Sequence, residues 1–113
     1  MTNITEASRI LATAFTAHQL IDPLPADLAP DSFDAAYDIQ NETLKQTGAK
    51  QAGWKIAVAT RAAQEKIGSD GPLIGPLLDG RILGDGAHLT TNDLHFPNIE
   101  AEIAVIMASS PAA

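Results

Sequence analysis

The chain has 113 residues, 45% of them hydrophobic, and 14 acidic against 7 basic side chains give it a formal net charge of −7. That length fits one modest domain and not two, and the acidic balance argues against nucleic acid as a partner and disfavours anionic membrane surfaces, since both require a basic face. The absence of cysteine excludes a disulfide framework and a thiolate metal site and fits a cytoplasmic setting; no basic-then-apolar leader and no run of membrane-spanning length is read, so no membrane association is expected.

Five aromatics are present, and alanine supplies much of the apolar count, so any core is expected to be thin. Asn3 followed by Glu6 has capping-box spacing, and Ile4, Ala7, Leu11, Ala14 and Phe15 fall on one stripe, predicting a first helix over 4–19. Residues 22–30 contain three prolines and read as an extended connection. Asp31 or Ser32 caps a second helix whose face carries Phe33, Ala36, Tyr37, Gln40 and Leu44, with Gly48 as its exit. Trp54, Ile56 and Val58 then alternate with Lys55, Ala57 and Ala59, which is strand spacing and sets Lys55 on the face opposite the tryptophan. Thr60 caps a short third helix from Arg61 to Ile67 that stops at Gly68.

Between 68 and 97 glycine and proline punctuate densely and indicate tight turns, with short strands at 81–83 and 87–89. The segment 71–78, Gly-Pro-Leu-Ile-Gly-Pro-Leu-Leu, lacks the lysine and hydroxyl residue of a phosphate-binding loop and reads as a plain turn. The three histidines, His18, His88 and His95, show no metal-pair spacing. His95 precedes the acidic run and reads as a polar loop residue. Neither a nucleophile elbow nor a Ser/His/Asp order is visible, so covalent catalysis has no support.

The most informative stretch is 99–107, Ile-Glu-Ala-Glu-Ile-Ala-Val-Ile-Met. In a strand, residues two apart share a face, about 7 Å from each other. Glu100 and Glu102 therefore point one way while Ile99, Ala101, Ile103, Val105 and Met107 point the other. If that strand is covered on both sides, two adjacent buried carboxylates repel and require a counter-charge, which a hard cation such as Mg²⁺ provides through oxygen ligands. The competing reading is an edge strand with both glutamates in solvent, guarding against aggregation. Lys55, the lysine within an apolar strand-like run, is a candidate cation that holds an anionic group or moves a proton; as an ordinary residue it lies on the solvated face of its strand.

Four segments taken in order resemble the 2-keto-4-pentenoate hydratase family of the wider fumarylacetoacetate hydrolase superfamily. They are Ala-Ala-Tyr-Asp-Ile-Gln at 35–40, Gly-Trp-Lys-Ile at 53–56, Asp-Gly-Pro-Leu-Ile-Gly at 70–75 and Pro-Asn-Ile-Glu-Ala-Glu-Ile-Ala-Val at 97–105. The resemblance covers about residues 33–107. It implies an α+β chain with an N-terminal helical region, 1–48, leading into the first part of a mixed-β catalytic domain, 49–113, whose remainder is absent.

It further implies Mg²⁺ or Mn²⁺ held by carboxylates. Glu100 and Glu102 match the first two metal ligands and Lys55 matches the active-site lysine of the Gly-x-Lys motif. The family's third carboxylate ligand is expected outside this sequence, which has no acidic residue after Glu102. Ile74 stands where many relatives carry an aromatic, and Ala57 replaces a frequent glycine; both departures bear on the substrate pocket. The implied reaction adds water to a 2-oxo-4-enoate in aromatic catabolism, with a small 2-oxo acid as substrate and a homo-oligomer as the expected assembly. A related decarboxylase, an acylpyruvate hydrolase and a non-catalytic remnant or interaction module are the alternatives.

Overall fold

A computed structural model describes residues 3–94 and 97–110. Its fold is α+β: helices α1 (Ile4–Thr16), α2 (Phe33–Thr47) and α3 (Arg61–Ile67), and strands β1 (Gln51–Ala57) and β2 (Leu73–Leu78), followed by two single 3-10 turns. The caps follow from local chemistry. Asn3, Ser32 and Thr60 each accept a hydrogen bond from a backbone N–H in the first turn of α1, α2 and α3, which satisfies donors that a helix start leaves open. Gly48 and Gly68 close α2 and α3 at φ 65° and 71°, a conformation in which any Cβ is strained. At α1 only half of the capping box forms, because the Glu6 carboxylate turns to the Arg9 guanidinium at 2.6 Å instead of returning to the Asn3 N–H. That helix also ends at Thr16, short of residue 19, since His18 takes φ 53°.

Helices α1 and α2 pack together over a core as thin as composition predicts. Ala7, Leu28 and Ile39 form the buried cluster, with Ile4, Ile10, Leu11 and Leu24 against it. Small residues on the inner face of α1 let the helices approach closely. The fully buried Ser8 donates its hydroxyl to the Ile39 carbonyl at 3.1 Å, so this buried polar side chain has a partner. The proline segment is not wholly extended: the N–H groups of Leu28 and Ala29 donate to the Pro25 carbonyl, and this turn places Leu28 in the core.

Among the described residues the sheet consists of β1 and β2, paired antiparallel, with Trp54 opposite Pro76, Lys55 opposite Gly75 and Ile56 opposite Ile74. Strand β2 corrects the plain turn expected at 71–78. Pro76 lacks a donor, but at the edge of a two-stranded sheet that costs no ladder bond to a further strand. Val58, expected to continue β1, instead turns out of it at φ 56°, an uncommon position for a β-branched residue. The Gln64 side-chain amide donates to its carbonyl at 3.0 Å and holds the bend. The Tyr37 hydroxyl accepts the Ile74 N–H at 3.1 Å, tying the helical layer to β2.

The strands expected at 81–83 and 87–89 are absent. Residues 79–81 form a 3-10 turn, and 82–90 are irregular. The strand expected over 99–107 is likewise not formed: residues 97–107 have no regular structure, with Ile99, Ile103 and Ile106 exposed to 98%, 95% and 97%. Alternation alone does not make a strand, because its backbone groups require a partner edge. His95 lies outside the described residues. No helix among the described residues is long and apolar enough to cross a membrane.

Candidate functional site

Lys55 occupies the middle of β1, on the face opposite Trp54 and Ile56 by alternation and across from Gly75. With no side chain at Gly75, nothing on β2 crowds the lysine at its paired position. From there the ammonium reaches residues 45 and 47 positions further along the chain. Lys55 Nζ stands 3.0 Å from Glu100 Oε2 and donates a hydrogen bond to Glu102 Oε1. The structure thus brings together the three residues selected from sequence.

Of the two readings of burial, the structure agrees with the one that leaves the glutamates in solvent. The side chains of Lys55, Glu100 and Glu102 are 38%, 55% and 49% exposed, so both carboxylates reach water. In the structure their counter-charge is the Lys55 ammonium. The segment carrying them is irregular, yet both carboxylates converge on one point, because Lys55 lies between them and draws each toward it.

Electrostatics fix the charge states. Hydrogen bonds from Lys55 to Glu102 and then to Glu100 hold the lysine above its ordinary range, and the Lys55 hydrogen bond holds the Glu100 carboxyl below the usual carboxylate range. Lys55 is therefore a full cation at neutral pH. It can hold an anion, and it is a poor base while both glutamates remain.

Two carboxylates are donors of the right hardness for Mg²⁺ or Mn²⁺, which take oxygen ligands in octahedral shells. Among the described residues no group of three or more His, Cys, Asp or Glu gathers to hold a metal ion. Among the described residues Glu100 and Glu102 are thus two oxygen donors of an incomplete set, already paired with the Lys55 ammonium.

An open cleft of about 420 Å³ lies apart from this cluster, walled by Leu11, Phe15, Ile39, Leu44, Pro76 and Leu78 among others. The hydroxyls of Thr43 and Thr47 on its rim donate to carbonyls of their own helix. That cleft has room but little chemistry for a charged substrate, whereas the lysine cluster has the chemistry. Sequence reading did not select Tyr37, which joins α2 to β2 beside Gly75; its position on the apolar face of α2, with a polar tip, was the available signal.

An ammonium and two carboxylates within hydrogen-bond reach on an α+β scaffold make a charged cluster whose chemistry is electrostatic rather than that of a covalent nucleophile. Comparison with known proteins narrows this class. The chain is 35% identical over 107 residues to 2-keto-4-pentenoate hydratase 1 of Dechloromonas aromatica (strain RCB), covering 91% of this chain and 41% of the relative. It is 33% identical over 106 residues to the 2-keto-4-pentenoate hydratase of Paraburkholderia xenovorans (strain LB400), covering 90% and 39%. Against the 4-oxalocrotonate decarboxylase of Pseudomonas sp. (strain CF600) the identity is 35% over 81 residues, covering 68% and 31%. No family model matches, and no solved structure matches significantly. Over about nine-tenths of its length the chain is similar to 2-keto-4-pentenoate hydratases, and it spans about two-fifths of the length of the curated hydratases it matches.

Proposed function

We propose that this chain contributes part of the active site of a hydro-lyase that adds water across the carbon–carbon double bond of a 2-oxo-4-enoate, a small 2-oxo acid of aromatic catabolism. The observation that carries the reading is the Lys55 ammonium set between Glu100 and Glu102, in a chain whose relatives are named 2-keto-4-pentenoate hydratases. Lys55 supplies fixed positive charge to the carboxylate and 2-oxo end of the substrate. Holding that end in register is a positioning and electrostatic role, consistent with a lysine whose pKa is raised rather than lowered. Glu100 and Glu102 keep Lys55 protonated and offer oxygen donors to a hard cation, Mg²⁺ or Mn²⁺. Such a cation supplies Lewis-acid polarisation of a 2-oxo group when bound.

Decarboxylation is the second reading, because 4-oxalocrotonate decarboxylases are also among the relatives; both reactions involve a 2-oxo acid and differ in the bond that changes. Two donors are too few for tight binding, so the isolated chain is expected to show little or no turnover. The test joins this chain to the portion of the Dechloromonas hydratase outside the match and assays 2-oxopent-4-enoate and 4-oxalocrotonate separately. Hydration lost in Lys55→Met and in Glu102→Gln supports the proposal. Full hydration by both variants, or turnover of the oxalocrotonate alone, contradicts it.

A further inference from the structure

Strand β2 does not fix its own register. Leu73 and Leu77 lie on one face and Ile74 and Leu78 on the other, so both faces are apolar and the alternation that usually decides how a strand pairs is missing. The connection from β1 to β2 runs through 58–72 and carries α3, so no tight turn sets the pairing. The ladder already shifts once, between Gln51 and Gly53. The bond from the Asp79 N–H to the Lys50 carbonyl, 2.9 Å, lies on the far side of that shift from Lys55. Yet the observed register sets Gly75, which has no side chain, opposite Lys55.

Two features outside the ladder select that register. N–H groups of alternate residues in a strand point to the same side. The Ile74 N–H points away from β1 and donates to the Tyr37 hydroxyl at 3.1 Å, while the positions two residues to either side, Pro72 and Pro76, have no N–H to offer. Sliding β2 by two residues in either direction keeps its faces but brings a proline to the Tyr37 hydroxyl, and it brings Leu73 or Leu77 opposite Lys55. Sliding it by one residue turns Pro76 toward β1, where a ladder bond is lost. The hydroxyl is a fixed reference point because α2 is held at both ends of the argument: Ile39, two residues after Tyr37, is buried in the core, and residues 48–50 lead directly from α2 into β1.

We propose that Tyr37 is a positioning residue for Lys55: its hydroxyl admits the one register of β2 that keeps Gly75 opposite the lysine and leaves the ammonium free to reach Glu100 and Glu102. With Leu73 or Leu77 in that place, a branched side chain lies about 5 Å from the lysine Cβ and fills the space along its stem. At present that space is open, since even a Cβ at Gly75 would meet the Gln40 carboxamide oxygen at 3.9 Å, an ordinary contact. The inference rests on the reading of Lys55 as the charged group of the proposed hydro-lyase and deepens it, whichever bond of the 2-oxo acid changes.

The test uses the full 113-residue chain, which has no cysteine of its own. Ile56→Cys with Ile74→Cys reports the native register, because paired positions lie within disulfide reach, and Trp54→Cys with Ile74→Cys reports a slip of two residues. In a thiol redox buffer the ratio of native to slipped disulfide is expected to fall about fivefold in Tyr37→Phe, the factor that one net hydrogen bond gives. It is expected to hold in Ser8→Ala, which loses a hydroxyl bond inside the helical layer instead; circular dichroism checks that both variants stay folded. Carbodiimide coupling of Lys55 to Glu100 or Glu102 falls together with the ratio. It returns when the disulfide of Ile56→Cys with Ile74→Cys locks the register in Tyr37→Phe, a rescue that a general loss of stability would not show. An unchanged ratio or unchanged coupling in Tyr37→Phe, an equal fall in Ser8→Ala, or coupling that the locked register does not restore overturns the proposal. Neither readout uses turnover, so failure of the joined hydratase to hydrate 2-oxopent-4-enoate would count against the proposed function alone.

Discussion

Ile39→Ala is expected to destabilise the chain by about 2–3 kcal/mol. Ile39 is 4% exposed and, with Ala7 and Leu28, makes up the buried cluster that joins α1 to α2 and to the proline segment. The substitution removes three carbons, and at about 0.8 kcal/mol for each the transfer contribution is about 2.4 kcal/mol. A sealed core would add a cavity contribution and push the loss toward 5 kcal/mol. Here Ile39 also borders the open cleft of about 420 Å³, so the vacated space joins an existing one and the added contribution is small. The assay is urea denaturation followed by helical circular dichroism, with Leu20→Ala, an exposed position, as reference. A loss below about 0.5 kcal/mol, or one equal to the reference, would refute the assignment of the core, because surface changes stay within that range.

Other predictions follow from local chemistry. Energy transfer from Trp54 to an acceptor on Ala104→Cys, unique in a chain without cysteine, is expected to fall in Lys55→Met and at high salt, since the Lys55 contacts with Glu100 and Glu102 are exposed and screened; unchanged transfer would mean that those contacts do not hold the segment. Glu6 is held below its ordinary pKa by the Arg9 hydrogen bond, so its contribution to α1 is present above the unfolded carboxyl value of about 4.3 and is lost as pH falls through the folded value. Helicity should therefore fall on acidification by more in wild type than in Arg9→Gln, and parallel curves would count against it. Gly68→Ala meets nothing within 4 Å but must hold φ 71°, a cost of about 1–2 kcal/mol, whereas Gly80→Ala in open space should stay within about 0.5 kcal/mol.

What could be read from sequence divides along local and non-local lines. The caps at Asn3, Ser32 and Thr60 and the exits at Gly48 and Gly68 were legible because each depends on a few neighbouring residues. Strand β2 was not, since Gly75 and Pro76 look like turn residues until Trp54 and Lys55 pair with them. The error at 99–107 has the opposite sign: the alternation is clear, but no edge among the described residues pairs with it, and pattern cannot supply a partner. For the candidate site, the period-2 spacing of Glu100 and Glu102 and the apolar flanks of Lys55 drew attention to three residues that the structure brings into close approach. Their exposure was illegible, because it depends on the layers packed above them.

Zero-length carbodiimide coupling, read by mass spectrometry, tests the central claim most directly, because it joins an amine to a carboxylate only on direct approach. The structure predicts that Lys55 couples to Glu100 or Glu102, and the proposed hard-cation role predicts that Mn²⁺ at saturating concentration suppresses the product. Coupling of Lys55 to neither glutamate, or a yield that Mn²⁺ leaves unchanged, would contradict a site in which one ammonium and a hard cation share the same two carboxylates.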